Sequence, residues 1–481
     1  MLGLTAGSHQ RESFPMGSRD RSNRCRPRRS RKWNRAGRAC RFFEMARRAG
    51  QGSAAQGGRR WRGHRAHRRT AQETERQMAK TRPLTGIRVL ELGAYISGPY
   101  AAAILASLGA EVVKVEPPHG GDPFRRGVDT KSPYFVQYNA GKKSLAVNLK
   151  SPDGLALVKS LLPEFDVVIE NSRPGKMAAL GLGIEDVQKI NPAIVYASVS
   201  GFGDGGPWRD RAAYDSIGQS MGAFYSIMND AEDARLSGTC IGDLITAITA
   251  TMGILAGLVG RGLTPGGAGA DVRTSLLEAM STITIDAVTQ MYEDGGKAPT
   301  RESRHPQAQN FCLQTSDGGG ITLHLSSSQK FWQALTRAIE RPELAEDARF
   351  VTYFDRLKNY FELRPIVEAE FKRRDRAEWE ARLIEFDVPF APVLTAAELV
   401  SHPQTEWLDM MEPERNGLAL VRAPWRFAGE RPGRDFEAPH IGEHTREIAA
   451  RVLGSADVDR LIAEGVLVQS PDGAEAVAAQ A

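Results

Sequence analysis

Cysteine is scarce in this 481-residue chain, with four in all, and aromatic residues make up only 7%. Cys25 and Cys40 fall in an arginine-rich stretch, while Cys240 and Cys312 stand alone. That excludes a disulfide framework and leaves no Cys/His cluster with zinc spacing, so no metal site is expected. Such usage fits a reducing compartment, and the expected location is cytoplasmic. Long apolar runs are missing too. The longest, residues 245–260, is interrupted by Thr and Gly and is shorter than the ~20 residues of a membrane span. A buried core helix is expected there, and no membrane partner. A dinucleotide fingerprint is also absent. After the first apolar run stands Gly93-Ala94-Tyr95-Ile96-Ser97-Gly98, which lacks the G-x-G-x-x-G spacing. This argues against a NAD-dependent enzyme, although helix N-termini bind phosphates without that motif.

Acidic residues are rare at one end only. Residues 1–80 hold 22 of the 63 Lys and Arg but 5 of the 58 Asp and Glu, a surplus of 17 in a chain whose total is +5. The remainder therefore carries −12 and has the balance of an ordinary, mildly acidic globular chain. The segment 1–80 shows no hydrophobic periodicity and reads as a disordered basic extension. Its arginines would suit nucleic-acid phosphates or a transit peptide, and no apolar stretch suggests a secretory signal. The simpler expectation is a misassigned start, with Met78 as the true one and no nucleic-acid partner.

Order begins at Leu84. Residues 87–92 read as a buried strand, 100–108 as an Ala-rich helix closed by Gly109, and 111–116 as a second strand. The unit recurs, with helices over 154–162 and 184–190 and strands over 166–170 and 194–198. This predicts an α/β fold, a Rossmann-like doubly wound large domain over 82–300. Long helices are expected over 243–261, the first of them buried, and over 274–292. From residue 305 the texture changes. Asp317-Gly318-Gly319-Gly320 is a turn leading into the alternating run Ile321-Thr322-Leu323-His324-Leu325, as in an antiparallel hairpin. Charged helices follow over 329–340 and 363–385. Residues 305–395 thus read as a smaller α+β domain, with 396–470 returning to the large one.

Three local features carry chemistry in more than one way. Lys142, Lys143 and Lys150 are either solvated lysines around a short strand or partners for anionic phosphates. The loop Gly201-Phe202-Gly203-Asp204-Gly205-Gly206-Pro207 is either a surface turn or an active-site loop after a strand end. Gly242-Asp243 opens an apolar helix, where Asp is a favoured N-cap. The same carboxylate, held ionised by the helix dipole and with Gly242 leaving room for a substrate, is a competent nucleophile towards an activated acyl group.

Taken together and in order, these stretches resemble the family III CoA-transferases, from about Pro83 to about Leu467. The landmarks are Val89-Leu90-Glu91-Leu92 leading to Ser97-Gly98-Pro99, then Gly121-Asp122-Pro123 and Glu170-Asn171-Ser172-Arg173-Pro174-Gly175. Ser200-Gly201-Phe202-Gly203, Tyr214-Asp215, Gly242-Asp243 and Gly442-Glu443-His444-Thr445 follow. The resemblance implies that Asp243 is the catalytic nucleophile and that CoA is moved from an acyl-CoA donor to a free carboxylic acid through anhydride and thioester intermediates. It implies CoA contacts from Ile96 and Ser97, from Val147, Asn148, Leu149 and Lys150, from Asn171, Ser172 and Arg173, and from Ala212, Ala213, Tyr214 and Asp215. The implied partners are coenzyme A, acyl-CoA and small carboxylic acids, with no tightly bound cofactor, in an interlocked homodimer.

The chain departs from the pattern at Pro117 and Ala179, where formyl-CoA transferase has arginines, and at Ile96, where it has a glutamine. Formate or oxalate is therefore not expected, and a less polar acyl group beside Tyr95 and Ile96 is. The α-methylacyl-CoA racemases resemble the same fold but pair the aspartate with a histidine. Tyr214 stands at that position, and a tyrosine titrating near ~10 is a poor base at neutral pH. Two non-catalytic alternatives remain. One is a CoA-binding protein without turnover, against which the presence of Gly242 and Asp243 argues. The other is a nucleic-acid binder acting through the basic tail, which predicts salt-dependent RNA or DNA binding that is lost with residues 1–77.

Overall fold

The computed structural model describes residues 82–470, apart from 231, 435 and 436. The readings of residues 1–80, including Met78 and the basic arm, lie outside the described residues.

Short, nearly continuous apolar runs such as Val89-Leu90 and Val167-Val168-Ile169 form strands buried on both faces, as parallel sheets require. The strands are β1 (Arg88–Glu91), β2 (Glu111–Glu116), β3 (Lys143–Val147), β4 (Val167–Glu170), β5 (Val195–Ser200) and β6 (Ala270–Ser275). Together with β10 (Leu467–Val468) they make one sheet in the order β10-β3-β2-β1-β4-β5-β6. β1 to β6 are parallel, and β10 adds antiparallel to β3, with Leu467 opposite Val147. The order reverses between β1 and β4, which in such sheets is where ligands bind. One core, with Leu90, Val113, Leu145 and Val168, lies on one face. A second, with Val89, Val112, Val167 and Ile254, lies on the other.

Three helices position the site: α1 (Ser97–Ser107), α2 (Asp215–Met221) and α3 (Ile241–Leu263). α3 departs from the expectation of a buried helix. By length and composition it is apolar enough to cross a membrane. Here one face, with Thr246, Ala247, Ala250 and Ile254, is buried, while Met252, Val259 and Leu263 are more than half exposed.

The helix expected over 274–292 is also corrected. Thr274 and Ser275 finish β6, whose six residues register with β5. Ser275 then caps the helix Leu276–Ile283 by accepting from Glu278 N, and a separate helix runs Ile285–Glu293. Periodicity alone cannot show that a short mixed stretch such as 270–275 is captured by a sheet edge. Likewise 363–385 is two helices, Tyr360–Phe371 and Arg376–Glu385, because Asp375 forms a capping box with Glu378.

Residues 310–392 include a second, antiparallel sheet of β7 (Asn310–Gln314), β8 (Gly320–His324) and β9 (Phe390–Pro392). Its own core contains Phe371 stacked on Trp379 at 4.2 Å, with Trp332 buried alongside. The chain then returns to the large sheet, where Ala146 N donates to Thr445 Oγ1.

Candidate active site

A cavity of about 730 Å³ opens at the carboxyl ends of β1 to β5, across the point where strand order reverses. Its walls come from Gly93 to Tyr95 and Ser97 after β1, Val115 to Pro118 at the end of β2, and Val147 to Lys150 at the end of β3. Asn171 to Pro174 follow β4, and Gly201 follows β5. Asp243 lines it from the first turn of α3, alongside Tyr214. Four cations, Lys150, Arg173, Lys176 and Arg211, also line it and are exposed. None of the four forms an ion pair among the described residues.

The start of α3 differs from the N-cap expectation. The N-cap is Cys240, whose side chain makes no capping bond. The amides are instead bound from α2. Asp215 Oδ1 accepts from Gly242 N at 2.9 Å and from Asp243 N at 3.3 Å. Gly242 thus makes room for Asp215 rather than for a substrate, since a Cβ there would lie 2.9 Å from the Asp215 carbonyl and 3.0 Å from Oδ1. Gln219 fastens the arrangement by donating to Asp215 Oδ2 at 2.6 Å and to Thr239 O at 3.1 Å.

With its amide taken by Asp215, the half-buried Asp243 carboxyl faces the cavity. Burial, and then the nearby Asp215 carboxylate, push it up to about 7. The dipole reading expected an ionised group; desolvation and like charge outweigh the helix end here. A desolvated carboxylate with a raised pKa is the more basic nucleophile once ionised. Burial likewise pushes up the Cys240 thiol beside Tyr138, whose hydroxyl lies 4.0 Å from Cys240 Sγ.

The wall formed by residues 93–99 is held from below by buried charge. Cross-strand register places Glu91 opposite Lys114. Lys114 Nζ reaches Glu91 Oε1 at 2.7 Å, Asp122 Oδ2 at 2.9 Å and Gly93 O at 2.9 Å. Lys142 Nζ binds Glu91 Oε2 at 2.6 Å and Pro99 O at 2.9 Å. Lys142 is thus neither solvated nor a phosphate ligand, and burial pulls its ammonium down to about 8. Lys143 pairs with Glu111 and Glu447 away from the cavity, and of the three lysines only Lys150 lines it. Above this network Tyr95 adopts a left-handed φ of +66° and donates its amide to Asp122 Oδ1 at 3.3 Å.

These features rest on a chain with close relatives. The sequence model of the family described as CoA-transferase family III matches residues 84–445. The chain belongs to the family III CoA-transferases. It is 33% identical over 390 residues to succinyl-CoA–D-citramalate CoA-transferase of Chloroflexus aurantiacus, covering 79% of this chain and 96% of that protein. To acetyl-CoA:oxalate CoA-transferase of Acetobacter aceti it is 34% identical over 382 residues, covering 77% and 96%. The crystal structure of a CAIB/BAIF family protein from Brucella suis superposes with a TM-score of 0.69 at 30% identity, covering 78% of this chain and all of that one. This CoA-transferase therefore shares its fold and its class of chemistry with proteins acting on CoA thioesters.

Most residues singled out in the sequence come together. Ser97, Val147, Asn148, Leu149, Lys150, Asn171, Ser172, Arg173, Ala212, Ala213, Tyr214 and Asp243 all line the one cavity. Ile96 and Asp215 do not. Ile96 is buried at the N-cap of α1 and Asp215 lies under the amides of α3, so the argument against small polar acids from Ile96 loses its footing. Asn171 is engaged by the fold as well. Its Oδ1 accepts from Ala94 N at 3.0 Å, while its Nδ2 donates to Ala94 O at 2.8 Å and Ser97 Oγ at 3.1 Å. The glycine loop after β5 is both a surface turn and a wall of the site. Gly201 lines the cavity, where a Cβ would collide with Ala213, and beyond it Phe202 packs edge-on to Trp208, over which Arg211 lies at 4.0 Å. Lys176 and Arg211 were missed, and the only available signal was their proximity to motif residues.

Proposed function

We propose that the enzyme transfers CoA from a donor acyl-CoA to a free carboxylic acid through covalent intermediates on Asp243. The observation that carries this reading is an Asp243 carboxyl that faces a cavity lined elsewhere by four cations free of ion pairs among the described residues, while Asp215 takes over the helix amides. The cations receive the anionic, phosphate-bearing part of CoA, and the uncharged wall with Tyr95 and Tyr214 receives the acyl end.

Ionised Asp243 attacks the thioester carbonyl carbon. The C–S bond breaks, leaving CoA thiolate and an acyl–aspartyl anhydride. The thiolate then attacks the aspartyl carbonyl and the donor acid departs as its carboxylate, leaving an aspartyl-CoA thioester. The acceptor carboxylate attacks that carbonyl and expels the thiolate, which finally attacks the acceptor's acyl carbon and restores the Asp243 carboxylate. Each step breaks one acyl bond as it forms another, splitting a hard exchange into easier ones. Backbone amides around the cavity would stabilise the oxyanions. The relatives' named acids include oxalate and citramalate, so dicarboxylic acids are the substrate class proposed. A homodimer belongs to the same reading, supported by the exposed apolar face of α3.

Incubation with donor acyl-CoA and hydroxylamine is expected to convert Asp243 to its hydroxamate, detected by peptide mass. In Asp243→Asn both the adduct and exchange of CoA between acids disappear. Undiminished exchange in that variant would sink the mechanism.

A further inference from the structure

Aromatic residues are few in this chain, yet six of them are linked ring to ring, starting from two that line the cavity. Tyr95 makes edge contacts with Tyr214 at 6.0 Å and with Phe124 at 5.6 Å. Phe124 continues to Tyr134 at 6.0 Å and to Tyr138 at 6.3 Å, and Tyr138 to Tyr100 at 5.6 Å. Tyr95 and Tyr214 line the cavity with Asp243, and Tyr138 lies close enough to feel the Asp243 charge. A track of rings thus leads from the cavity wall at Tyr214 and Tyr95 to the half-exposed Tyr134.

Adjacent arginines near the end of this track have opposite fates. Arg125 is buried and fully used, bound to Glu116, Asp129 and the Pro439 carbonyl and lying 3.7 Å over the Phe135 ring. Arg126 is exposed, with a left-handed φ of +52°. Its guanidinium lies over the Tyr134 ring at 4.1 Å and 5.8 Å from the Phe124 ring, and it forms no ion pair among the described residues. A guanidinium stacked by its face keeps its edge donors free, the geometry that grips a carboxylate in its plane.

Resting on the dicarboxylate reading above, we infer that Arg126 is a specificity-determining residue. It binds the distal carboxylate of the acid whose proximal carboxyl reacts at Asp243, and the spacer between the two carboxylates lies along Tyr95 and Phe124. That path passes two rings whose centroids are 5.6 Å apart, so the favoured acid has a spacer longer than that of oxalate.

The test measures acceptor kcat/KM for the full chain and for Arg126→Gln, with a fixed donor acyl-CoA. The acceptors are oxalate, succinate, glutarate and adipate, with butyrate and hexanoate as monocarboxylate controls. Loss of one charge-assisted bidentate contact is expected to lower kcat/KM for the longer dicarboxylates roughly tenfold or more. It should leave the monocarboxylates and the donor KM within about twofold. Equal losses in both series, no loss in either, or a wild-type enzyme that takes no dicarboxylate would overturn the inference. Its failure is separable from failure of the proposed mechanism, which is read from Asp243→Asn with whichever acid is turned over.

Discussion

Charge beneath the cavity and charge on its rim obey opposite rules. Below, Glu91, Lys114, Lys142 and Asp122 are buried, and the two lysines are tied to the carboxylates and to the carbonyls of Gly93 and Pro99. On the rim, Lys150, Arg173, Lys176 and Arg211 are exposed and form no ion pair among the described residues. Buried ions must be neutralised within the protein, because desolvation is costly and only near-ideal partners offset it. Rim cations are already hydrated and stay available to an incoming anion. Charge in this molecule thus has two uses, shaping a wall and attracting a ligand, and burial separates them.

The comparison breaks hardest below. Lys114→Met removes one cation while Asp122 and half of Glu91 stay buried, so a loss of roughly 3–5 kcal/mol in unfolding free energy is expected, read as a lower denaturation midpoint. A change under about 1 kcal/mol would mean that the network does not hold the turn. On the rim the effect should be kinetic. Arg173→Gln is expected to raise KM for the donor acyl-CoA roughly tenfold, with weaker dependence on salt and an unchanged denaturation midpoint. A lowered midpoint with unchanged KM would place Arg173 among the structural charges.

Asp243 lies between the two regimes, half-buried and without a cation, and pH sharpens the contrast. Since its ionised form attacks, kcat/KM for the donor should climb about tenfold per pH unit below about 7 and level off above it. A flat profile from pH 5 to 8 would contradict the raised value. Stability has the opposite sign. A carboxyl whose pKa is raised on folding stabilises the fold at low pH, and that contribution is lost as pH rises from the ordinary carboxylate range through about 7. Asp243→Asn should therefore raise the melting temperature at pH 8 while abolishing transfer. Differential scanning calorimetry at pH 5 and pH 8 would measure the difference.

Much of the architecture was legible because parallel strands write themselves as short apolar runs spaced by helices. The strands expected over 87–92, 111–116 and 166–170 contain β1, β2 and β4, and the one over 194–198 overlaps β5. β6 was not legible, since Ala270–Ser275 becomes a strand only by pairing with β5. Motif order likewise brought twelve residues to a single cavity, yet it could not tell the roles of neighbours apart. Asp215 and Asp243 are both first-turn acids beside a cavity. Lys142 and Lys150 belong to one short segment, and Arg125 and Arg126 are adjacent.

What the sequence determined by itself was the parallel α/β plan, the family and the identity of Asp243 as the residue to watch. All three rest on local patterns and their order along the chain. What the tertiary structure decided was how each polar group is used. Asp215 arrives from another helix to take the amides of α3, leaving Asp243 to the cavity with its pKa pushed up to about 7. Hydrogen bonding and desolvation depend on what packs around a side chain, and that is settled only when distant segments meet.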